Sequence, residues 1–377
     1  MTSPLNITIA GAGVAGLAVG TALASRGHQV RVAERAAEIA EVGAGIQISP
    51  NGVRVLQALG LAEQLAERSI RIETVRLIDG PSNRDVLTLD LKGAFDDVPW
   101  FAVHRADLID VLQNGASAAG ARIETGVEIA PPPEGQPLTG DDLLIGADGL
   151  KSKLRARVDE ASKPFFTRQV AWRAVIEDPD DRIPEARVYM GPRRHLVSYP
   201  LIGGRRNIVA VEERTAWAEE GWSHSDHPAN LRGAFDMFKG PIKGWLARVE
   251  EVYLWGLFRH RVAHRWHAGR QVLLGDAAHP TLPFLAQGAN LALEDAYVLA
   301  KMLSEHPIDD ALSAYQAARS ERCRLVTEAA TRNARNYHLS FPPARFIGHS
   351  VLRLAGAIAP GRVRDSLRWI YTHDVTS

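Results

Sequence analysis

A glycine turn set between a strand and a helix limits what this chain can fold into more than any other feature. Asn6–Ala10 is a short apolar run with strand character, and Gly11-Ala12-Gly13-Val14-Ala15-Gly16 follows it directly. From Val14 to about Arg26 the pattern is helical and ends at Gly27; a second strand, Gln29–Glu34, completes a β-α-β start. Each glycine has its own reason. Gly11 permits the tight turn, Gly13 lets the backbone approach a pyrophosphate, and Gly16 lets the helix pack close to the strand. Free N–H groups and the helix dipole then favour negative charge at the turn. Val14 and Ala15 belong to the same turn, and Glu34 ends the second strand where it can accept a ribose hydroxyl. A glycine turn alone can serve packing only; strand, helix and acid together indicate a dinucleotide site. The pattern occurs once, so one dinucleotide is resident and any second one visits.

The rest of the chain supports an α/β fold: a Rossmann-like dinucleotide-binding domain interleaved with a smaller mixed-sheet domain, followed by C-terminal helices. Residues 51–69 read as helical. The segments 73–79, 86–91, 168–176, 186–190, 195–201 and 207–213 are short, rich in β-branched residues and separated by Gly, Pro, Asp and Asn. They predict an antiparallel or mixed sheet. Between them Leu108–Leu112 reads as helix, Leu143–Ile145 as strand, and Pro131–Gly135 as a surface loop. Gln271–Leu274 reads as a strand, and Gly288 to Leu303 as a helix. The expected division is 1–72, 102–165 and 261–340 for the dinucleotide domain, 73–101 and 166–260 for the second domain, and 341–377 for a helical end. Phe346–Ala359 is too short and too charged to span a bilayer and reads as a packed helix.

Composition narrows the class. With 46% apolar and 23% charged residues the chain has the make-up of an ordinary globular protein. Its formal net charge of zero gives no reason to expect a nucleic-acid partner. Cys323 is the only cysteine, so no internal disulfide forms. It sits in a charged helical stretch, where an inert thiol is the simpler reading. The N-terminus carries no secretory pattern. A cytoplasmic protein without a membrane span is expected, and the sequence leaves room for a homodimer.

Two further clusters follow. Gly146-Ala147-Asp148-Gly149 through Arg155 succeeds an apolar strand, and Leu274-Gly275-Asp276-Ala277-Ala278-His279-Pro280 continues to Gln287-Gly288-Ala289-Asn290 and Glu294-Asp295-Ala296. Together with the first glycine turn and His104-Arg105-Ala106-Asp107-Leu108, their order and spacing resemble the single-component FAD-dependent aromatic monooxygenases, the para-hydroxybenzoate hydroxylase family. The resemblance covers nearly the whole chain. Glu41 to Asn51, Ala171-Trp172-Arg173-Ala174 and the closing Trp369 to Asp374 are most similar to the branch acting on salicylate, 3-hydroxybenzoate and 6-hydroxynicotinate. One departure is Ala286, where many relatives have glycine before Gln-Gly.

The resemblance implies resident FAD and NADH or NADPH as a transient co-substrate. It implies that Gly11, Gly13, Gly16, Glu34, Arg35 and Arg105 bind the ADP half and pyrophosphate of FAD. Asp276 would hold the ribityl chain and Asp148 would support both cofactors. Gln47, Gly288, Ala289 and Asn290 complete the expected cofactor set. A helix starting near Gly288 aims free N–H groups at the flavin pyrimidine edge, which favours reduced flavin. Taken singly, each aspartate would read as a helix cap or turn residue.

His195-Leu196-Val197-Ser198-Tyr199-Pro200 is the substrate-side segment. On a strand His195, Val197 and Tyr199 face one way, with His195 and Tyr199 roughly 13 Å apart at about 3.3 Å per residue. Both can reach a ligand lying between them. On spacing alone a solvated His and a packed Tyr would be the simpler reading; beside the flavin motifs they resemble the pair that binds and activates phenolic substrate. The expected reaction uses O2 through a flavin hydroperoxide, as the family implies. His195 would take the phenolic proton, with Tyr199 and Gln287 orienting a small aromatic acid. Halogenation, or saturation of a lipid-like substrate, is the rival flavin chemistry, but none of the eight tryptophans sits in the Trp-x-Trp-x-Ile-Pro segment that flavin halogenases carry. A non-catalytic FAD-bound redox sensor is the rival from another class.

Overall fold

The computed structural model describes residues 3–39, 44–133, 136, 138–159, 163–215 and 224–377. Part of the 41–51 segment and of the Pro131–Gly135 loop lies outside these residues.

The first sheet has six strands in the order His267–Ala268, Gln271–Leu273, Leu143–Gly146, Asn6–Ala10, Gln29–Glu34, Arg122–Thr125. All pairings are parallel except that of the short His267–Ala268 edge strand. Its central strands are continuous apolar runs, such as Leu143-Leu144-Ile145, because both faces are covered. Helix Val14–Ala24 is almost wholly buried, packed against helices Arg105–Ala118 and Gly288–Glu305. An apolar surface all round a helix requires such a place.

The second sheet has eight strands in the order His224–Asp226, Val252–Arg259, Phe165–Glu177, Arg205–Glu213, Arg194–Leu201, Glu185–Gly191, Thr74–Asp79, Arg84–Asp90. It is antiparallel apart from the parallel contact of Thr74–Asp79 with Glu185–Gly191, so it is the mixed sheet expected. Side chains alternate across it. Trp172 and Leu196 point to a core with Phe235, Phe238 and Trp245, whereas Arg173, His195, Val197 and Tyr199 line the opposite, inner face. A three-stranded sheet of Gly45–Ile48, Phe101–His104 and Ser69–Arg71 completes the strands.

Two expectations change. The helix expected over 51–69 is two, Pro50–Ala58 and Ala62–Glu67. Gly60 adopts φ +73°, and the Leu61 N–H bonds back to the Leu56 carbonyl, a left-handed turn that ends the first helix. The late apolar segment is a helix, Pro342–Ile358, but it is not packed on its apolar side. Phe346 is 72% and Ile358 73% exposed, with Ile347, Val351 and Leu354 between them also exposed, while His349 is buried. No helix among the described residues is long and apolar enough to cross a membrane.

Candidate active site

One large cleft, of about 750 Å³, runs from the glycine turn of the first sheet to the inner face of the second. That volume lies in the upper range of small-molecule sites. Its cofactor end is built on absent side chains. A Cβ on Gly11, which adopts φ +103°, would lie 2.5 Å from the Ala147 carbonyl oxygen, and one on Gly16 would lie 1.9 Å from the Gly11 carbonyl oxygen. Gly11 and Gly16 therefore lock strand, loop and helix together from beneath. Gly13 differs: a Cβ there meets nothing within 4 Å, because the position opens into the cleft. No side chain caps the helix that starts after Gly13, and its first turn holds no acid. Its amides are left for a ligand, beside Val14, Ala15, Arg35 and Arg105 on the cleft wall.

Glu34 binds its own loop, accepting from the Ala12 N–H at 2.9 Å and the Ala36 N–H at 3.0 Å. A carboxylate has lone pairs beyond these two, so a ribose hydroxyl can share it. Asp148 lines the cleft; its Oδ2 accepts from the Lys153 N–H at 2.9 Å, and its buried Oδ1 has no hydrogen-bond partner among the described residues. Asp276 lies deep in the fold, but its carboxylate opens to the cleft. Burial raises its pKa, and the charges of His279 and Arg105 oppose that rise.

Helix Gly288–Glu305 points its N-terminus into the cleft, with Gly288, Ala289 and Ala292 on the wall. The structure separates its neighbours from the roles expected of them. Gln287 does not line the cleft. Its side chain is fully buried, donating to Ser49 Oγ at 2.9 Å and accepting from Asn51 Nδ2 at 3.0 Å. Asn290 is buried too, accepting from the Ser49 N–H at 3.0 Å and donating to the Gln47 carbonyl at 3.2 Å. These two residues fix strand Gly45–Ile48 to the helix start and so hold Gln47, which does line the cleft and accepts from Trp100 Nε1 at 3.0 Å.

Behind them His279, Glu294 and Asp295 of the third motif form a charged cluster with Arg319 and Arg322, a pairing that sequence reasoning missed. Arg319 pairs with Glu294 at 2.6 Å and Asp295 at 2.7 Å, Arg322 pairs with Glu294, and His279 Nε2 lies 2.5 Å from Asp295. Burial alone would raise both acids, but Arg319 and Arg322 hold Glu294 at about 2, and His279 and Arg319 hold Asp295 at about 2. His279, Asp295 and Cys323 each offer a ligand atom, all within 4.8 Å of one another, but Arg319 already supplies the positive charge there.

At the substrate end the strand reading holds. His195, Val197 and Tyr199 share one face with Val209 and Val211 of the neighbouring strand. The wall continues through Arg173, whose guanidinium lies 5.1 Å from the Trp255 ring centroid, and Phe284, whose ring is 5.1 Å from that of His195. Burial, with the nearby His338, pushes the His195 imidazole well below its ordinary pKa, so it is neutral at pH 7. Burial raises the Tyr199 phenol, which stays protonated. His195 Nδ1 lies 2.6 Å from His338 Nε2, and His338 Nδ1 lies 2.9 Å from Glu213 Oε1. Neither His338 nor Glu213 carried a sequence signal. Arg173 did, within the Ala171–Ala174 segment, but no role had been given to it.

A dinucleotide cradle that opens onto a pocket walled by His195, Tyr199, Trp255 and Phe284 is the site of an FAD-dependent aromatic monooxygenase. The FAD binding domain family model matches residues 5–137 and 139–334, and the chain belongs to that family. It is 38% identical over 362 residues to 3-amino-4-hydroxybenzoate 2-monooxygenase of Streptomyces cremeus, covering 90% of this chain and 89% of that protein. It is 30% identical to 3-hydroxybenzoate 6-hydroxylase 1 of Aquipseudomonas alcaligenes, covering 97% of both. In fold it matches Klebsiella pneumoniae HpxO complexed with FAD and uric acid, with TM-score 0.84, 23% identity and 96% of each chain covered. A salicylate hydroxylase substrate complex matches with TM-score 0.80 and 23% identity, covering 99% of this chain and 96% of that one. These relatives are hydroxylases and monooxygenases, and nothing supports the redox-sensor alternative.

Proposed function

We propose that this enzyme hydroxylates a small phenolic acid of the hydroxybenzoate or aminohydroxybenzoate class, with reduced nicotinamide and O2 as co-substrates. One observation carries the reading: a neutral buried imidazole, a protonated phenol and a guanidinium face one chamber continuous with the cofactor cradle. The substrates named for the Streptomyces cremeus and Aquipseudomonas alcaligenes relatives support it.

The cradle residues fit FAD. Gly13 leaves its backbone bare for the pyrophosphate, Arg35 and Arg105 supply positive charge, Glu34 and Asp276 offer acceptors to the ribose and ribityl hydroxyls, and Asp148 keeps an unpaired oxygen. When bound, FAD takes electrons from the nicotinamide and activates O2. The chain's own groups do the rest. His195 takes the phenolic proton, since its depressed pKa leaves it a free base at neutral pH. Tyr199 donates a hydrogen bond to the substrate. Arg173 pairs with its carboxylate, the charge-assisted contact that fixes orientation. Val197, Val209 and Phe284 exclude water. Gln287 acts one step removed, by holding the helix start rather than the substrate.

The test is a panel of hydroxybenzoates and aminohydroxybenzoates. It follows NADH and NADPH consumption, peroxide leakage and product mass together, and repeats the measurement with His195→Ala. Hydroxylation should slow by about 10²-fold or more while flavin reduction is spared. Equal loss in both steps with FAD retained would remove His195 from the role of base.

The domain division expected from the sequence stands as part of this proposal, supported by the strand membership of the two large sheets. So does a cytoplasmic location, in keeping with a single buried cysteine and a reduced co-substrate. We also assign the exposed stripe of helix Pro342–Ile358 to a homodimer. Two copies face to face would bury on the order of 1,000 Å², near the lower bound for a specific interface. Ile347→Glu with Leu354→Glu should halve the sedimentation mass, and an unchanged mass would exclude this surface.

A further inference from the structure

We propose that His338 and Glu213 form a proton relay that prepares His195 as a base and carries the substrate's proton to solvent. The inference rests on the reading of His195 given above.

The relay follows from hydrogen-bond roles. Glu213 presents a carboxylate, which can only accept, so His338 Nδ1, 2.9 Å away, carries the proton. His338 is enclosed, and burial depresses its pKa although Glu213 opposes this. A neutral His338 therefore has its lone pair on Nε2. His195 Nδ1 lies 2.6 Å from that nitrogen and must donate to it. The proton of His195 is thus fixed on Nδ1, and its Nε2 is left as a lone pair on the cleft side. One surface carboxylate sets the tautomer of a fully buried imidazole through a second imidazole.

The elements that make this contact are far apart in the chain. His338 is the residue that ends the long helix Ile308–Tyr337, delivered onto strand Arg194–Leu201. Its ring is tilted against that of His195 with centroids 4.9 Å apart, and Tyr337 and Phe284 lie 5.3 and 5.1 Å from the His195 ring. Of the other charged neighbours, Arg193 is 3.3 Å from Glu213, and Arg194 pairs with Glu212 at 3.2 Å and adds to the lowering of the His338 pKa. Glu213 keeps a third of its side chain exposed. The chain of groups therefore leads from the closed pocket to water.

Proton movement balances along it. The phenolic O–H breaks as Nε2–H forms on His195. Nδ1–H of His195 breaks as Nε2–H forms on His338. Nδ1–H of His338 breaks as O–H forms on Glu213, which gives a proton to water. Both imidazoles finish neutral with exchanged tautomers, and the phenolate is the only charge gained in the pocket. Return of a proton along the same path resets them. His338 and Glu213 act through His195, as positioning and relay residues.

Two measurements on the FAD-loaded oxidised enzyme test this without turnover. In the first, 3-amino-4-hydroxybenzoate or 3-hydroxybenzoate is mixed with enzyme in weak buffer containing a pH indicator, and proton release is timed beside the phenolate absorbance. Glu213→Gln and His338→Gln should slow release about tenfold or more with FAD spectra unchanged, and Glu213→Asp should restore it. In the second, nitrogen-15 histidine spectra should place the protons of His195 and His338 on Nδ1, with Glu213→Ala returning at least one to the Nε2 form. Wild-type release rates in both Glu213→Gln and His338→Gln, or an Nε2-protonated pair in the native enzyme, would overturn the relay while leaving His195 as base. If His195→Gln itself leaves proton release unchanged, the base assignment fails and the relay fails with it.

Discussion

Alanine at Gly16 and alanine at Gly13 add the same methyl to the same loop with opposite expected consequences. At Gly16 the new Cβ would sit 1.9 Å from the Gly11 carbonyl oxygen and 3.4 Å from Ala147 Cβ. The first contact is with backbone, so helix and loop must part. Overpacking of this kind costs about 1–3 kcal/mol, or about 1–4 °C in the melting temperature of the apoprotein. At Gly13 the backbone lies at φ −80° and ψ −171°, which alanine adopts freely, and its Cβ meets nothing. The apoprotein should melt within about 0.5 kcal/mol of the native protein. FAD, however, needs that space for its pyrophosphate. A 10- to 100-fold loss of affinity corresponds to about 1.4–2.8 kcal/mol. Native enzyme gains about 2.7 kcal/mol at a hundredfold excess of FAD over Kd, so about half of the FAD-induced rise in melting temperature should vanish after a tenfold loss and most of it after a hundredfold loss. The assay is thermal melting of apoprotein with and without FAD, beside a fluorescence titration of FAD. Native FAD affinity in Gly13→Ala would refute the backbone approach there. A Gly16→Ala apoprotein that melts with the native one would refute the close helix–loop contact.

Two further outcomes follow from charge. Arg173→Leu should raise KM for an aromatic acid by roughly 10- to 100-fold without loss of FAD, the value of one charge-assisted contact; an unchanged KM in steady-state assays would take Arg173 out of the site. Glu294 and Asp295, both held at about 2, stabilise the fold fully above the ordinary carboxylate pKa of about 4, and that contribution is lost as pH falls toward 2. Arg319→Met leaves Glu294 with Arg322 and Asp295 with His279, should cost up to about 3–5 kcal/mol, and should move acid unfolding to higher pH in a circular-dichroism titration.

The cofactor cradle was legible because its chemistry is local. A turn that needs a bare backbone needs glycine at fixed offsets, and the acid that completes it lies one strand later. The alternation in 195–199 was legible for the same reason, since period two decides which side chains share a face. What escaped the sequence is whatever depends on a distant partner. His338 lies 143 residues from His195, and nothing near either residue announces the other. Gln287 sits beside the correct helix start, but adjacency in the chain does not decide whether a side chain at a turn points into the cleft or beneath it; Ser49 and Asn51 decide that. The segment Phe346–Ala359 likewise read as a packed helix, but an apolar run does not say what covers Ile347, Val351, Leu354 and Ile358, and the helix leaves them exposed.

Ala286 tests whether the pocket or the backbone governs the departure from glycine seen in many relatives. It adopts φ +53° and ψ +36°, a left-handed conformation that costs a residue with a Cβ about 1 kcal/mol. Its carbonyl accepts from Asn290 Nδ2 at 2.6 Å, which ties the strained turn to the start of helix Gly288–Glu305, and the residue lines the cleft. Ala286→Gly relieves the conformational cost but frees the unfolded chain by about 0.4–1 kcal/mol, so the two nearly cancel. The melting temperature should therefore move by no more than a degree or two. Any change in substrate preference or peroxide leakage then arises from the lost methyl, not from a weakened fold. If the variant instead melts far below the native enzyme, the methyl is packing that the turn depends on. If melting, leakage and the substrate panel are all unchanged, Ala286 plays no part in shaping the pocket.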